Sequence, residues 1–186
     1  MQKIILASQS PRRKQLLEWA EIAFDVIVSD SDETFPPGLS FADTAIHIAR
    51  NKALAVAEKN KEGLTILAAD TIVVCNDEIL GKPKDRDDAI RILKKLSGVT
   101  HQVITAVVII KDKKEISFAD ITTVEFHPLT EQQIIFYVDK YKPYDKAGAY
   151  AIQEWIGVVG IKSIHGDFYN VMGLPVSRVV QTLQTL

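Results

Sequence analysis

Ser8-Gln9-Ser10-Pro11-Arg12-Arg13-Lys14 sets two hydroxyls and three cations where a strand is expected to hand over to a helix. Free backbone N–H groups and the helix dipole attract anions at such a start. Three cations in the first turn oppose that dipole, so a bound anion, with phosphate the natural choice, would account for them. A solvated basic helix start capped by Ser10 is the other reading. A second candidate is Asp70, in the middle of the apolar run Ile66-Leu67-Ala68-Ala69-Asp70-Thr71-Ile72-Val73-Val74. Burying a carboxylate there costs several kcal/mol unless it is paired, hydrogen-bonded or bound to metal. A structural use, such as capping a neighbouring loop, is the alternative.

Scattered charges could join these two. Asp32 and Glu33 precede a Pro-rich loop, Lys52 lies on a long helical stretch, and Lys82-Pro83 follows the strand that carries Asp70. Carboxylates from loops and strand ends suit a magnesium ion that keeps several waters and shares a substrate's phosphates. Taken singly, each of these residues reads as surface charge. His47, His101, His127 and His165 have no metal-ligand spacing, and one cysteine leaves no zinc signature. There is neither a Gly-Lys-Ser/Thr phosphate loop nor a Gly-x-Gly-x-x-Gly turn. Trp19, Trp155 and the tyrosines read as core or rim, not as a base-stacking platform.

The elements that must position these residues follow from periodicity and caps. Lys3 to Ala7 reads as a buried strand, and Ser10-Pro11 opens a helix running to Trp19. Phe24 to Ser29 reads as a strand and Thr34 to Gly38 as a loop. Phe41 to Asn60 reads as a helix capped by Ser40, with an apolar stripe of Ile46, Ala49, Ala53 and Val56. Leu64 to Cys75 reads as a central strand, and Asp85 to Leu96 as an amphipathic helix closed by Gly98. Val99 to Ile110 and Glu115 to Phe126 form a hairpin pattern. Thr130 to Gln133 is a capping box opening a helix to about Lys140. Ile156 to Ile164 reads as a last strand, and Pro175 starts a terminal helix. Strands alternating with helices around one hairpin predict an α/β fold with a mixed sheet.

The 186 residues, 47% hydrophobic, suit a single domain over 1–186. A net charge of −2 provides no basic excess for binding a nucleic acid polymer. The lone Cys75 fits a reducing compartment, so the cytoplasm is expected. Residues 1–10 run into Pro11-Arg12-Arg13 too soon for a signal peptide, and no apolar run reaches the roughly 18 residues of a membrane span.

On these residues the chain resembles the Maf family of nucleoside triphosphate pyrophosphatases, once described as septum-formation inhibitors. Ile5 to Arg13 is similar to the family's opening motif and Ala49-Arg50-Asn51-Lys52-Ala53 to its helix motif. Ala69-Asp70-Thr71, Gly81-Lys82-Pro83 and Leu96-Ser97-Gly98 with His101 follow in order. Asp145 to Tyr150 with Gln153, then Gly166 with Asn170 to Pro175, complete the series. The resemblance implies a two-lobed α/β fold, a mixed elongated sheet flanked by helices as in inosine triphosphate pyrophosphatases, with a cleft between the lobes and assembly as a homodimer. It implies hydrolysis of dTTP and UTP to the monophosphate and pyrophosphate, with a divalent metal, Mg²⁺ or Mn²⁺. Asp70 would be the proton acceptor. Glu33 and Asp70 would hold the metal, and Ser8, Arg12, Arg13, Lys52 and Lys82 would surround the phosphates. Arg12, Thr71 and Gln153 fall where the dTTP and UTP subgroup carries its specificity residues. Whether Asp70 acts as base, metal ligand or both stays open at this level. Two rivals share the same residues: a nucleotide-binding regulator of septum formation without turnover, and a pyrophosphatase that clears modified nucleotides.

Overall fold

The expected strand, turn and helix open the chain. β1 (Ile4–Leu6) is wholly buried and α1 (Pro11–Trp19) follows, its Ser10 cap accepting a hydrogen bond from the Arg13 backbone N–H while Leu16 and Leu17 face the core. The computed structural model describes residues 2–28, 34–60, 63–112 and 114–186. The chain divides into two compact units, Met1–Thr71 with Thr105–Asp120 and Gly173–Leu186, and Ile72–Ile104 with Ile121–Met172.

In the first unit, β2 (Phe24–Val26) runs parallel to β1, Ile4 opposite Phe24 and Leu6 opposite Val26. α2 (Phe41–Ala57) is capped by Ser40, whose Oγ accepts from the Asp43 N–H at 3.1 Å. Its buried face is Ala45, Ile48, Ala49, Ala53 and Val56, so Ile48 takes the place in the stripe expected for Ile46, which is only partly buried. Lys52 lies four residues from both Ile48 and Val56 and so shares their face of the helix. β3 (Thr65–Cys75) returns parallel to β1 on the side away from β2, Ile4 opposite Thr65 and Leu6 opposite Leu67. The unit also takes the later part of β5 (Thr100–Lys111), the earlier part of β6 (Lys114–Phe126) and the terminal helix α7 (Val176–Gln184).

The second unit holds the end of β3, β4 (Glu78–Leu80), α3 (Arg86–Leu96), the start of β5, the end of β6 and α4 (Glu131–Tyr141). A single 3₁₀ turn at Ala147–Ala149 follows, then α5 (Trp155–Gly160), β7 (Ile161–His165) and α6 (Phe168–Met172). The capping box at Thr130 forms in full, with both the side chain to Gln133 N–H bond and its reciprocal. Leu93, Leu96, Phe126, Tyr137 and Ile156 are at most 1% exposed and form its core.

The strand order is β2-β1-β3-β5-β6-β7, with β4 on β3. Parallel pairs at β1 stand beside antiparallel pairs β3–β4 and β6–β7, so the sheet is mixed, as expected. Three elements depart from the sequence reading. Ile156 to Ile164 is not one strand, because Trp155–Gly160 is helical and only Ile161–His165 is extended. The Glu154 carbonyl accepts from both Gly157 and Val158 N–H, a local closure that outweighs the β preference of the apolar run. β4 pairs back on β3 through Asn76 and Asp77, at φ 50° and 58°, the two-residue turn that such residues favour. The short α6 is the third.

Candidate active site

In an open α/β sheet, ligands bind beyond the carboxyl ends of parallel strands where the strand order reverses. That point lies between β1 and β3, because the chain leaves β1 for β2 on one side and returns to β3 on the other. Pairing continues one residue past β1, with Ala7 N–H donating to the Leu67 carbonyl at 2.8 Å. Ser8 and the start of α1 therefore sit beside the stretch of β3 that carries Asp70.

Asp70 and Thr71 are the two residues of β3 that are not buried. Lys52 Nζ donates to Asp70 Oδ1 at 2.6 Å, the side chains being 18% and 13% exposed. The pairing meets the desolvation cost that the sequence raised, and Asp70 Oδ2 makes no hydrogen bond to a described residue.

Arg13 is buried, unlike a solvated helix-start cation. Its Nε donates to the Gly173 carbonyl at 2.8 Å, Nη1 to Ser8 Oγ at 3.0 Å and Nη2 to Thr71 Oγ1 at 3.0 Å. Ser8 Oγ also accepts from Ser10 N–H at 3.3 Å. Thr71 Oγ1 shares a 2.9 Å hydrogen bond with Thr105 Oγ1. The planar fork of Arg13 thus ties the end of β1, the middle of β3 and the chain before α7 together. Gly173 reaches it at φ +117°, a conformation that L side chains rarely adopt.

Of the expected site residues, Ser8, Arg13 and Thr71 meet directly, and Lys52 meets Asp70. Arg12 is partly buried one residue before Arg13 on α1. Glu33 lies outside the described residues. Lys82 and Gln153 belong to the second unit, both exposed. Sequence reasoning missed Thr105 and the Gly173 carbonyl. Thr105 carried the same signal as Asp70, a polar residue inside the apolar run Val103-Ile104-Thr105-Ala106-Val107. Also missed was a network in the second unit, where the buried Lys146 pairs with Asp145 at 2.8 Å and Glu154 at 3.4 Å. Nearby in sequence, Tyr150 Oη lies 2.7 Å from His101 Nε2. Burial lowers the His101 pKa to about 4 and raises that of Tyr150.

Among the described residues, no three His, Cys, Asp or Glu side chains gather to hold a metal. The donor chemistry of Asp70 fits a hard, oxygen-seeking cation that takes one or two carboxylates and completes its shell with water and phosphate. Nor is any helix among these residues long and apolar enough to cross a membrane.

Fold and constellation define an α/β protein with a carboxylate–lysine pair and a buried arginine at the carboxyl edge of parallel strands. Residues 3–186 match the family model described as Maf-like protein, and the chain belongs to that family. It is 50% identical over 183 residues to the dTTP/UTP pyrophosphatase of Cytophaga hutchinsonii, covering 98% of this chain and 84% of that one. It is 46% identical over 183 residues to the dTTP/UTP pyrophosphatase of Parabacteroides distasonis (98% and 95% covered). The Bacillus cereus dTTP/UTP pyrophosphatase is 47% identical over 184 residues (99% and 95%). Among solved structures, the Staphylococcus aureus Ham1 protein shares the fold, with a TM-score of 0.52 at 18% identity over 97% of this chain and 100% of that one.

Proposed function

We propose that the protein is a nucleoside triphosphate pyrophosphatase that hydrolyses dTTP and UTP to the monophosphate and pyrophosphate. The observation that carries this reading is Asp70, held by Lys52 in the middle of β3, just past the carboxyl end of β1 and beside Ser8 and Thr71. The names and identities of the relatives above support the reaction and the choice of nucleotides.

Asp70 orients a water toward the α-phosphorus and takes its proton. Ser8, Arg12, Arg13 and Lys52 receive the phosphates, Arg13 also by fixing Ser8 Oγ. Phosphoryl transfer needs positioning and charge stabilisation more than covalent chemistry, and this set supplies both. Asp70 and Glu33 would hold the divalent metal, Mg²⁺ or Mn²⁺, which neutralises phosphate charge when bound. Lys82 is a further phosphate contact by family resemblance, and Gln153, with Arg12 and Thr71, selects the base on the same ground. A two-lobed 1–186 domain, a homodimer and a cytoplasmic location belong to the same reading.

The test is a panel of common and modified nucleoside triphosphates with Mg²⁺, products separated by chromatography. Monophosphate plus pyrophosphate, fastest from dTTP or UTP, is the expected result. Faster release from modified nucleotides would move the substrate assignment. Binding without turnover of any member would overturn the enzyme reading in favour of a nucleotide-binding regulator.

A further inference from the structure

Gln153 is the third residue of a tight turn, Ala151–Glu154, closed by the Glu154 N–H donating to the Ala151 carbonyl at 3.1 Å. Ala151 and Ile152 are buried, whereas Gln153 is exposed. One hydroxyl holds both ends of the turn. Tyr137 Oη, on α4, accepts from the Ala151 N–H at 3.2 Å and donates to Glu154 Oε2. Tyr137 is 0% exposed and its ring stacks on Tyr141 at 5.0 Å. On the far side of the carboxylate, Glu154 Oε1 lies 3.4 Å from Nζ of the buried Lys146. From α5, Gly157 lets the backbone come close, since a Cβ there would lie 1.7 Å from the Ile152 carbonyl oxygen.

We propose that Tyr137 is a positioning residue for base selection, its hydroxyl clamping the Ala151–Glu154 turn so that Gln153 is presented in one orientation. This rests on Gln153 touching the nucleotide base, as read above. A side-chain amide discriminates between bases only when its donor and acceptor are held within a fraction of an ångström. A surface turn that carried no such duty would need neither a buried lysine nor a hydroxyl shared between its two ends, because apolar packing holds turns equally well. A charge-assisted hydrogen bond from Tyr137 and an ion pair with Lys146 instead fix the carboxylate of Glu154, the residue next to Gln153.

The experiment measures kcat and KM for dTTP and for dCTP with wild type, Tyr137→Phe, Gln153→Ala and the double variant, alongside each Tm. Gln153→Ala should lower the dTTP-over-dCTP ratio of kcat/KM. Tyr137→Phe should lower the same ratio by about threefold to tenfold, mostly through KM for dTTP, with the double variant no worse than Gln153→Ala. An unchanged ratio in Tyr137→Phe, or losses that multiply in the double variant, would overturn the proposal while leaving Gln153 as a base contact. An unchanged ratio in Gln153→Ala itself would instead sink the base-contact reading and the proposal with it. If Tyr137→Phe does not fold, Glu154→Gln opens the same clamp from its other end and is scored by the same outcomes.

Discussion

Lys52 Nζ lies 2.6 Å from Asp70 Oδ1, joining the buried face of α2 to the middle of β3 in a pair largely shielded from water. The lysine directs one carboxylate oxygen and leaves the other for chemistry. Asp70→Asn preserves the shape while removing the basic oxygen, and is expected to lower kcat by about 10²–10⁴-fold with little change in KM. Lys52→Met should reduce activity as well and cost about 1–3 kcal/mol, because it strands a partly buried carboxylate. Steady-state kinetics with chemical denaturation reads both, and near wild-type kcat in Asp70→Asn would remove Asp70 from the water-activating role.

Arg13 donates to three separated oxygens, those of Ser8, Thr71 and Gly173. Lysine carries the charge but not the planar fork. Arg13→Lys should therefore destabilise the protein by about 2 kcal/mol, a fall in Tm of about 4–8 °C at this chain length, and lower kcat/KM together with it. Differential scanning fluorimetry beside the activity assay checks this. A variant with unaltered Tm would show that the three bonds add nothing to stability.

Removal of divalent metal with EDTA should abolish turnover, and added Mg²⁺ should restore it. Glu33→Gln is expected to raise the Mg²⁺ concentration for half-maximal rate by about tenfold, with the limiting rate approached at high Mg²⁺. A metal titration at saturating nucleotide measures the shift. Identical Mg²⁺ curves for the variant and wild type would exclude Glu33 as a ligand.

Much of this arrangement was legible in the sequence where local chemistry decides structure. Ser40 and Thr130 announced their helices and form the expected cap bonds. Asp70 stood out because a carboxylate in an apolar run needs a partner, whereas Lys52, which read as surface charge, shows its role only once the 2.6 Å pair with Asp70 is formed. Arg13 was harder to read. Its sequence neighbours suggest a solvated cation, and its burial depends on the Gly173 carbonyl, 160 residues away. Tyr137 and Glu154 were invisible for the same reason, since nothing local marks a hydroxyl that will bridge two ends of a distant turn. The misread strand at Ile156 shows the opposite failure, a correct apolar pattern whose backbone is closed by the Glu154 carbonyl.

His101 links stability to pH. Its ring packs against Phe126 and the edge of Tyr150, with centroids 5.4 and 5.5 Å away, and its Nδ1 is buried without a hydrogen-bond partner among the described residues. Protonation would place a charge there with no acceptor, and burial accordingly lowers the pKa from 6.5 to about 4. The unfolded chain thus binds the proton more readily, so this contribution to stability is complete above pH 6.5 and is lost as pH falls toward 4. Between pH 7.5 and 5 the loss from this one group should be about 2 kcal/mol. His101→Gln keeps a polar group opposite Tyr150 without a titrating charge. Its urea midpoint should therefore fall less than that of wild type over the same interval, the carboxylates common to both proteins cancelling in the comparison. Parallel declines in the two proteins would mean that His101 takes up no proton differentially and that the acid sensitivity lies in the carboxylates.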